Sequence, residues 1–132
     1  MKEKTILITG CSSGIGYDVA HTLSKRGWRV FATCRLEKDC IRLRNEGLES
    51  FRLDYSCEKS IQTAVDETFK RTNGTLDALY NNGAYAIPGL VQDIPREAYR
   101  TIFEVNLFGY FDLINKIMPS MHNQGYCLLY TS

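Results

Sequence analysis

Two rhythms alternate along the chain. Short apolar runs of β-branched residues and leucine are each followed by stretches in which apolar residues recur every three or four positions. The first run, "KTILITG", reads as a buried strand ending at Gly10. A helix is expected from Ile15 to about Arg26, with Val19, Ala20 and Leu23 on one face and Gly27 as its stop. "WRVFATCR" predicts a second strand, "LEKDCIRLRNE" a short amphipathic helix ending near Gly47, and "LESFRLD" a third strand closing at Asp54. Ser56 is placed to cap a helix carrying Ile61, Ala64, Val65, Thr68 and Phe69 at helical spacing. "LDALYNN" predicts a fourth strand and "GAYAIPG" a loop. A long helix is expected from Pro95, where proline suits a first turn, with Pro119 ending or kinking it. "GYCLLYTS" supplies a fifth strand.

No repeat, linker or low-complexity segment interrupts this alternation. It predicts an α/β fold: a doubly wound parallel sheet with helices on both faces, joined by right-handed crossovers. About five strands make it an incomplete Rossmann fold in a single domain, residues 1–132.

Composition narrows the function. A chain that is 44% hydrophobic and 23% charged can build a core, which excludes a disordered segment. A net charge of +1 speaks against a broad nucleic-acid footprint. The five cysteines form no C-x-x-C pair and are odd in number, which disfavours a disulfide framework and a zinc site, so no metal is expected. Free thiols suit a reducing compartment, and a cytoplasmic location is expected. The apolar run in "MKEKTILITG" is too short for a signal peptide or a membrane span, so no membrane partner is expected.

The chemistry starts at "TGCSSGIG", Thr9 to Gly16. In a doubly wound sheet the turn after the first strand faces the ligand crevice, and the next helix aims its N-terminus there. Free N–H groups and the helix dipole make that end an anion site. Gly10 permits a tight turn, Gly14 lets a diphosphate approach, and Gly16 lets the helix pack close; Ile15 lies between the last two. Ser12 and Ser13 add hydroxyl donors. The end of the second strand decides the ribose 2′ position, where a carboxylate favours a hydroxyl and arginine favours a phosphate. Here the strand ends "ATCR", so Arg35 is expected to grip a 2′-phosphate in paired hydrogen bonds. The competing assignment is a solvated arginine, with Glu37 close enough to take a ribose. NADP is therefore the expected cofactor and NAD the less favoured one.

The glycine stretch resembles the Thr-Gly-x-x-x-Gly-x-Gly motif of the short-chain dehydrogenase/reductase family, which binds NAD or NADP on a doubly wound sheet. Three further stretches fall in that family's order, so the resemblance covers the whole chain. It implies that Asp54, in "FRLDYS", bonds the adenine amino group with backbone help from Tyr55; the alternative is a turn-forming aspartate. "LYNNGAY" looks like the family's Asn-Asn-Ala-Gly motif with Gly83 and Ala84 in swapped order, and it places Asn81 nearest the cofactor or as a tie between strands. "VNLFG" resembles the helix-embedded asparagine that holds a proton-relay water, which assigns Asn106 a catalytic role. An asparagine satisfied in the core is the plainer alternative.

The resemblance also calls for a serine and a tyrosine followed by lysine four residues on, which lowers the phenol pKa. Only Tyr55 and Lys59, in "YSCEK", match that spacing, and they lie on the adenine side, so the match reads as coincidence. The chain is thus expected to be the cofactor half of an oxidoreductase, ending before the catalytic segment and inactive alone. In the intact enzyme a hydride would pass between nicotinamide and a carbonyl or alcohol substrate. A non-catalytic nucleotide-binding or redox-sensing module is the alternative. The fifth strand would be an exposed edge that favours association, and the 95–118 helix is the candidate surface for a homo-oligomer.

Overall fold

Among the described residues, 2–131 of a computed structural model, five strands pair in parallel in the order β3-β2-β1-β4-β5. They are β1 (Thr5–Ile8), β2 (Arg29–Cys34), β3 (Glu49–Arg52), β4 (Ala78–Asn81) and β5 (Leu128–Thr131). Helices α1 (Gly14–Lys25), α2 (Glu37–Asn45), α3 (Glu58–Thr72), α4 (Arg96–Phe103) and α5 (Gly109–Gln124) fill the connections. The order makes β1 the central strand, and all four of its residues are buried. That explains its unbroken apolar run, since both faces of a parallel sheet are covered.

Side chains alternate between the two faces. Leu7, Phe31 and Leu79 point into one core with Ile61, Val65, Leu113 and Ile117 of α3 and α5. Ile6, Ile8, Val30, Ala32 and Tyr80 point into the other with Ala20 of α1 and Cys40 and Leu43 of α2. Each fully buried leucine or phenylalanine contributes about 1.5–3 kcal/mol relative to exposure. Three thiols, of Cys11, Cys34 and Cys40, are buried in this second core, while Cys57 and Cys127 are exposed; all five are free. Burial pushes the Cys11 thiol up to about 12.

The expected long helix is present, but in three pieces. A π-helical turn, Glu104–Phe108, separates α4 from α5, and a 3-10 turn at Val91–Asp93 precedes them. Pro119 does not end the helix, which runs on to Gln124. Tertiary bonds hold the last turns in place of the amide that proline lacks. Gln124 Nε2 donates to the Leu76 carbonyl at 2.7 Å, Ser120 Oγ donates to the Gly74 carbonyl, and Met121 is buried. Ser56 is not the cap of α3. Cys57 takes that position, and Ser56 instead bonds back to Asp54. Gly27, past the end of α1, has φ +86°, as a helix stop requires. β5 is exposed along its whole length at the sheet edge, and Ser132 lies outside the described residues.

Two features tie remote segments together. At Gly109 a Cβ would lie 2.5 Å from Tyr55 Cβ and 2.6 Å from the Tyr55 carbonyl, so α5 can pack on the segment after β3 only through glycine. On the far side, Glu49 accepts from Arg29 at 2.7 and 3.0 Å and from Arg71 at 3.2 Å, joining β2, β3 and α3. The Arg29 bond holds the Glu49 carboxyl below the usual carboxylate range, against the opposing effect of burial.

Two outcomes follow. Gly109→Ala is expected to lower unfolding stability by roughly 1–3 kcal/mol, the usual cost of overpacking, read from urea midpoints at constant slope. A carboxyl depressed in the folded state stabilises above its unfolded value, near pH 4.3, and loses that contribution as pH falls through the folded value. Glu49→Gln is therefore expected to flatten the acid limb of stability against pH below about 4–5; an unchanged limb would refute the assignment.

Candidate active site

The strand order reverses direction between β1 and β4, so a crevice opens beyond their carboxyl ends. Two segments meet there: the glycine turn after β1, and Asn82–Gly83 after β4. They touch at backbone distance. A Cβ on Gly10, whose φ is +66°, would lie 2.5 Å from Gly83 Cα. A Cβ on Gly16 would lie 2.5 Å from both the Gly10 carbonyl oxygen and Asn82 Nδ2. The helix start thus packs on the turn and on Asn82.

The turn's carbonyls are bound by the protein. Asn82 Nδ2 donates to the carbonyls of Thr9 and Gly10, both at 3.2 Å. Arg42 Nη2 donates to the Ser12 carbonyl, and Tyr17 N–H reaches the Ser13 carbonyl at 3.5 Å. The Cys11 amide is used inwards as well, on the Thr33 carbonyl at 2.9 Å. Beyond Cys11 the chain is open. Ser13, Gly14 and Ile15 are exposed, and Ser13, at the N-cap of α1, makes no side-chain cap bond. A turn whose carbonyls are tied back presents its remaining amides and the helix N-terminus to an anion.

Thr9 organises the floor. Its hydroxyl accepts from the amides of Asn82 (2.9 Å) and Gly83 (3.0 Å) and lies 2.7 Å from the Tyr55 hydroxyl. Tyr55 donates to Asn81 Oδ1 at 2.6 Å, which leaves the Thr9 hydroxyl as the donor to Tyr55. Burial pushes the Tyr55 phenol well above its ordinary value. It cannot titrate near neutrality, and Lys59 lines a different groove on the surface, so "YSCEK" is no acid–base pair. The ring also explains the swapped order in "NNGAY". A Cβ on residue 83 would lie 2.9 Å from Tyr55 Cε2, so a glycine stands there and the alanine follows it.

The crevice is lined by Thr9, Gly10, Ser12, Arg35, Asp54, Gly83, Tyr85 and Val105, among others. Arg35 stands exposed at the end of β2, its carbonyl held by Arg52 Nε at 3.0 Å. Among the described residues no carboxylate lies within ion-pair distance of its guanidinium. Glu37, the carboxylate that could have taken a ribose, is paired with Arg44 instead. Asp54 Oδ1 accepts from the amide (2.9 Å) and hydroxyl (2.7 Å) of Ser56, which realises the turn-forming role while the residue still lines the crevice.

Asn81 is fully buried and does not line the crevice; its side chain anchors Tyr55. Asn82 meets the glycine turn. Asn106 lies in the π-helical turn, where it accepts from the Tyr85 amide at 2.9 Å and donates to the Tyr85 carbonyl at 2.8 Å. Both halves of its amide thus clamp the loop after β4 to the helix, and π-turns recur at functional sites. Tyr110 donates to the Gly83 carbonyl from the next turn. Thr9, Asn82, Tyr110 and Arg42 escaped the sequence reading. A threonine before a glycine turn and the second of two asparagines carry only faint signals, and the other two carry none.

A sequence model described as short chain dehydrogenase matches residues 4–128. The uncharacterized oxidoreductase YbbO of Escherichia coli (strain K12) is 33% identical over 132 residues, covering 98% of this chain and 49% of that protein. Among solved structures, a short-chain dehydrogenase from Streptomyces avermitilis superposes with a TM-score of 0.92 at 25% identity, covering 99% of this chain and 49% of that one. A variant of the actinorhodin polyketide ketoreductase, solved with NADPH, gives 0.87 at 28% identity, covering 98% and 52%. The chain spans about half the length of the curated relatives it matches. No helix among the described residues is long and apolar enough to cross a membrane. With a family match over nearly all its length and the glycine turn at the sheet's switch point, the chain belongs to the short-chain dehydrogenase family of oxidoreductases.

Proposed function

We propose that this chain is the cofactor-binding part of an NADP(H)-dependent oxidoreductase acting on a small carbonyl or alcohol. The observation that carries the reading is the pairing at the crevice rim: Arg35 lines it without a carboxylate partner among the described residues, and Glu37 is taken by Arg44. A guanidinium free of carboxylates can grip a 2′-phosphate in two charge-assisted bonds. The neighbouring ketoreductase solved with NADPH supports the same choice.

The residues present fit such a group. Gly10 and Gly16 leave no room for side chains and bring the turn against Asn82 and Gly83, while the exposed Ser13, Gly14 and Ile15 leave the start of α1 open to a diphosphate. Ser12 and Ser13 hydroxyls would add donors there. Asp54 and the Tyr55 backbone would meet the adenine edge at the end of β3. Asn81 would act from behind, by holding Tyr55. Asn106 would keep the Tyr85 segment, one wall of the crevice, at a fixed distance from the helix. When bound, the nicotinamide would supply the hydride chemistry; the protein's share is orientation and exclusion of water. Tyr55 is not a proton donor in this scheme, because its phenol is buried and committed.

Arg35→Asp tests the reading. Loss of a charge-assisted pair and gain of a like charge are expected to weaken NADP binding by roughly tenfold to a hundredfold, with NAD binding little changed. Calorimetric titration with each dinucleotide measures both. Equal losses would refute the choice of NADP, and a wild-type chain that binds neither would refute the function.

A further inference from the structure

Resting on that reading, we propose that Arg42 is a positioning residue for the diphosphate turn: it fixes the Ser12–Ser13 peptide without touching the cofactor. Arg42 lies on α2, outside the glycine motif and outside the end of β2. Its Nη2 reaches across to the Ser12 carbonyl oxygen, thirty positions earlier in the chain. Ser12 is on the crevice wall together with Arg35.

A trans peptide sets the C=O of one residue antiparallel to the N–H of the next. Holding the Ser12 oxygen towards α2 therefore turns the Ser13 amide the opposite way. Ser13 is the exposed N-cap of α1, where an anion would gather amides. The Thr9 and Gly10 carbonyls are held by Asn82 and the Ser13 carbonyl by the helix's own Tyr17 amide. The Ser12 carbonyl is the one held by a side chain of α2, outside both segments that meet at the crevice.

The surroundings of Arg42 separate this role from that of Arg35. Asp39 lies 3.7 Å and Glu46 3.6 Å from its guanidinium, so its charge is offset locally. The guanidinium also lies 5.5 Å from the centre of the Tyr17 ring. These three groups hold the fork in place and leave little net positive charge for a phosphate. Among the described residues Arg35 has no such neighbours. The two arginines thus divide the work: Arg35 selects the 2′-phosphate, and Arg42 sets the turn that either dinucleotide uses.

Arg42→Ala is the test, and as an exposed residue it can be removed without opening the core. Three titrations of the chain are compared with wild type: NADP, NAD and adenosine. NADP and NAD affinities are expected to fall together by roughly threefold to tenfold, the scale of one hydrogen bond, with adenosine unchanged. A loss confined to NADP would make Arg42 a direct phosphate ligand and overturn the proposal. So would an equal loss for adenosine, which has no phosphate and would report a structural defect. Unchanged affinities would overturn it too. Failure of the wild-type chain to bind any dinucleotide would sink the functional reading itself, a result distinct from all of these.

Discussion

The site depends on how closely two strand ends approach. Gly10 after β1 and Gly83 after β4 meet with no space for a Cβ between them. That contact lets one threonine hydroxyl serve both sides of the switch point, by accepting two amides from the second segment while donating to Tyr55. A side chain at residue 10 would clash and would also face a positive φ, so the geometry resists drift. Buried polar groups at such a junction need partners, and the Thr9 and Tyr55 hydroxyls have them.

Tyr55 extends this junction across the sheet. Its hydroxyl links Thr9 to Asn81, its ring edge explains Gly83, and its backbone and Cβ explain Gly109. One aromatic residue thus accounts for glycines on two other segments. The segment after β3 and the loop after β4 thus pack on the same side chain. Asn106 and Tyr110 close the circuit from the helix, holding the Tyr85 and Gly83 backbones.

Charge is arranged to a different logic. Around the rim, Arg42 and Arg44 are paired with carboxylates and Arg52 bonds a backbone carbonyl, while Arg35 is left without an acidic neighbour among the described residues. Pairing at an exposed surface contributes little stability. Its consequence here is selectivity in where positive charge remains uncompensated. The rim keeps unpaired positive charge at Arg35, although the chain as a whole is nearly neutral.

The alternation of apolar runs and helical periodicity was enough to read a parallel α/β sheet, because β1, β2 and β4 are buried on both faces and α1, α2, α3 and α5 each bury one. The glycine turn was legible for the same local reason: φ, ψ and the missing Cβ are properties of single residues. Other features were decided by the fold. Pro119 was expected to end or kink the helix; the helix runs on, and Ser120, Met121 and Gln124 anchor its last turns through tertiary contacts. Which of two adjacent asparagines meets the turn depends on the pleat at the end of β4, since neighbours point to opposite faces. The roles of Tyr55 and Arg42 come from partners 26 to 46 and 30 positions away, a separation at which spacing along the chain carries no record of contact.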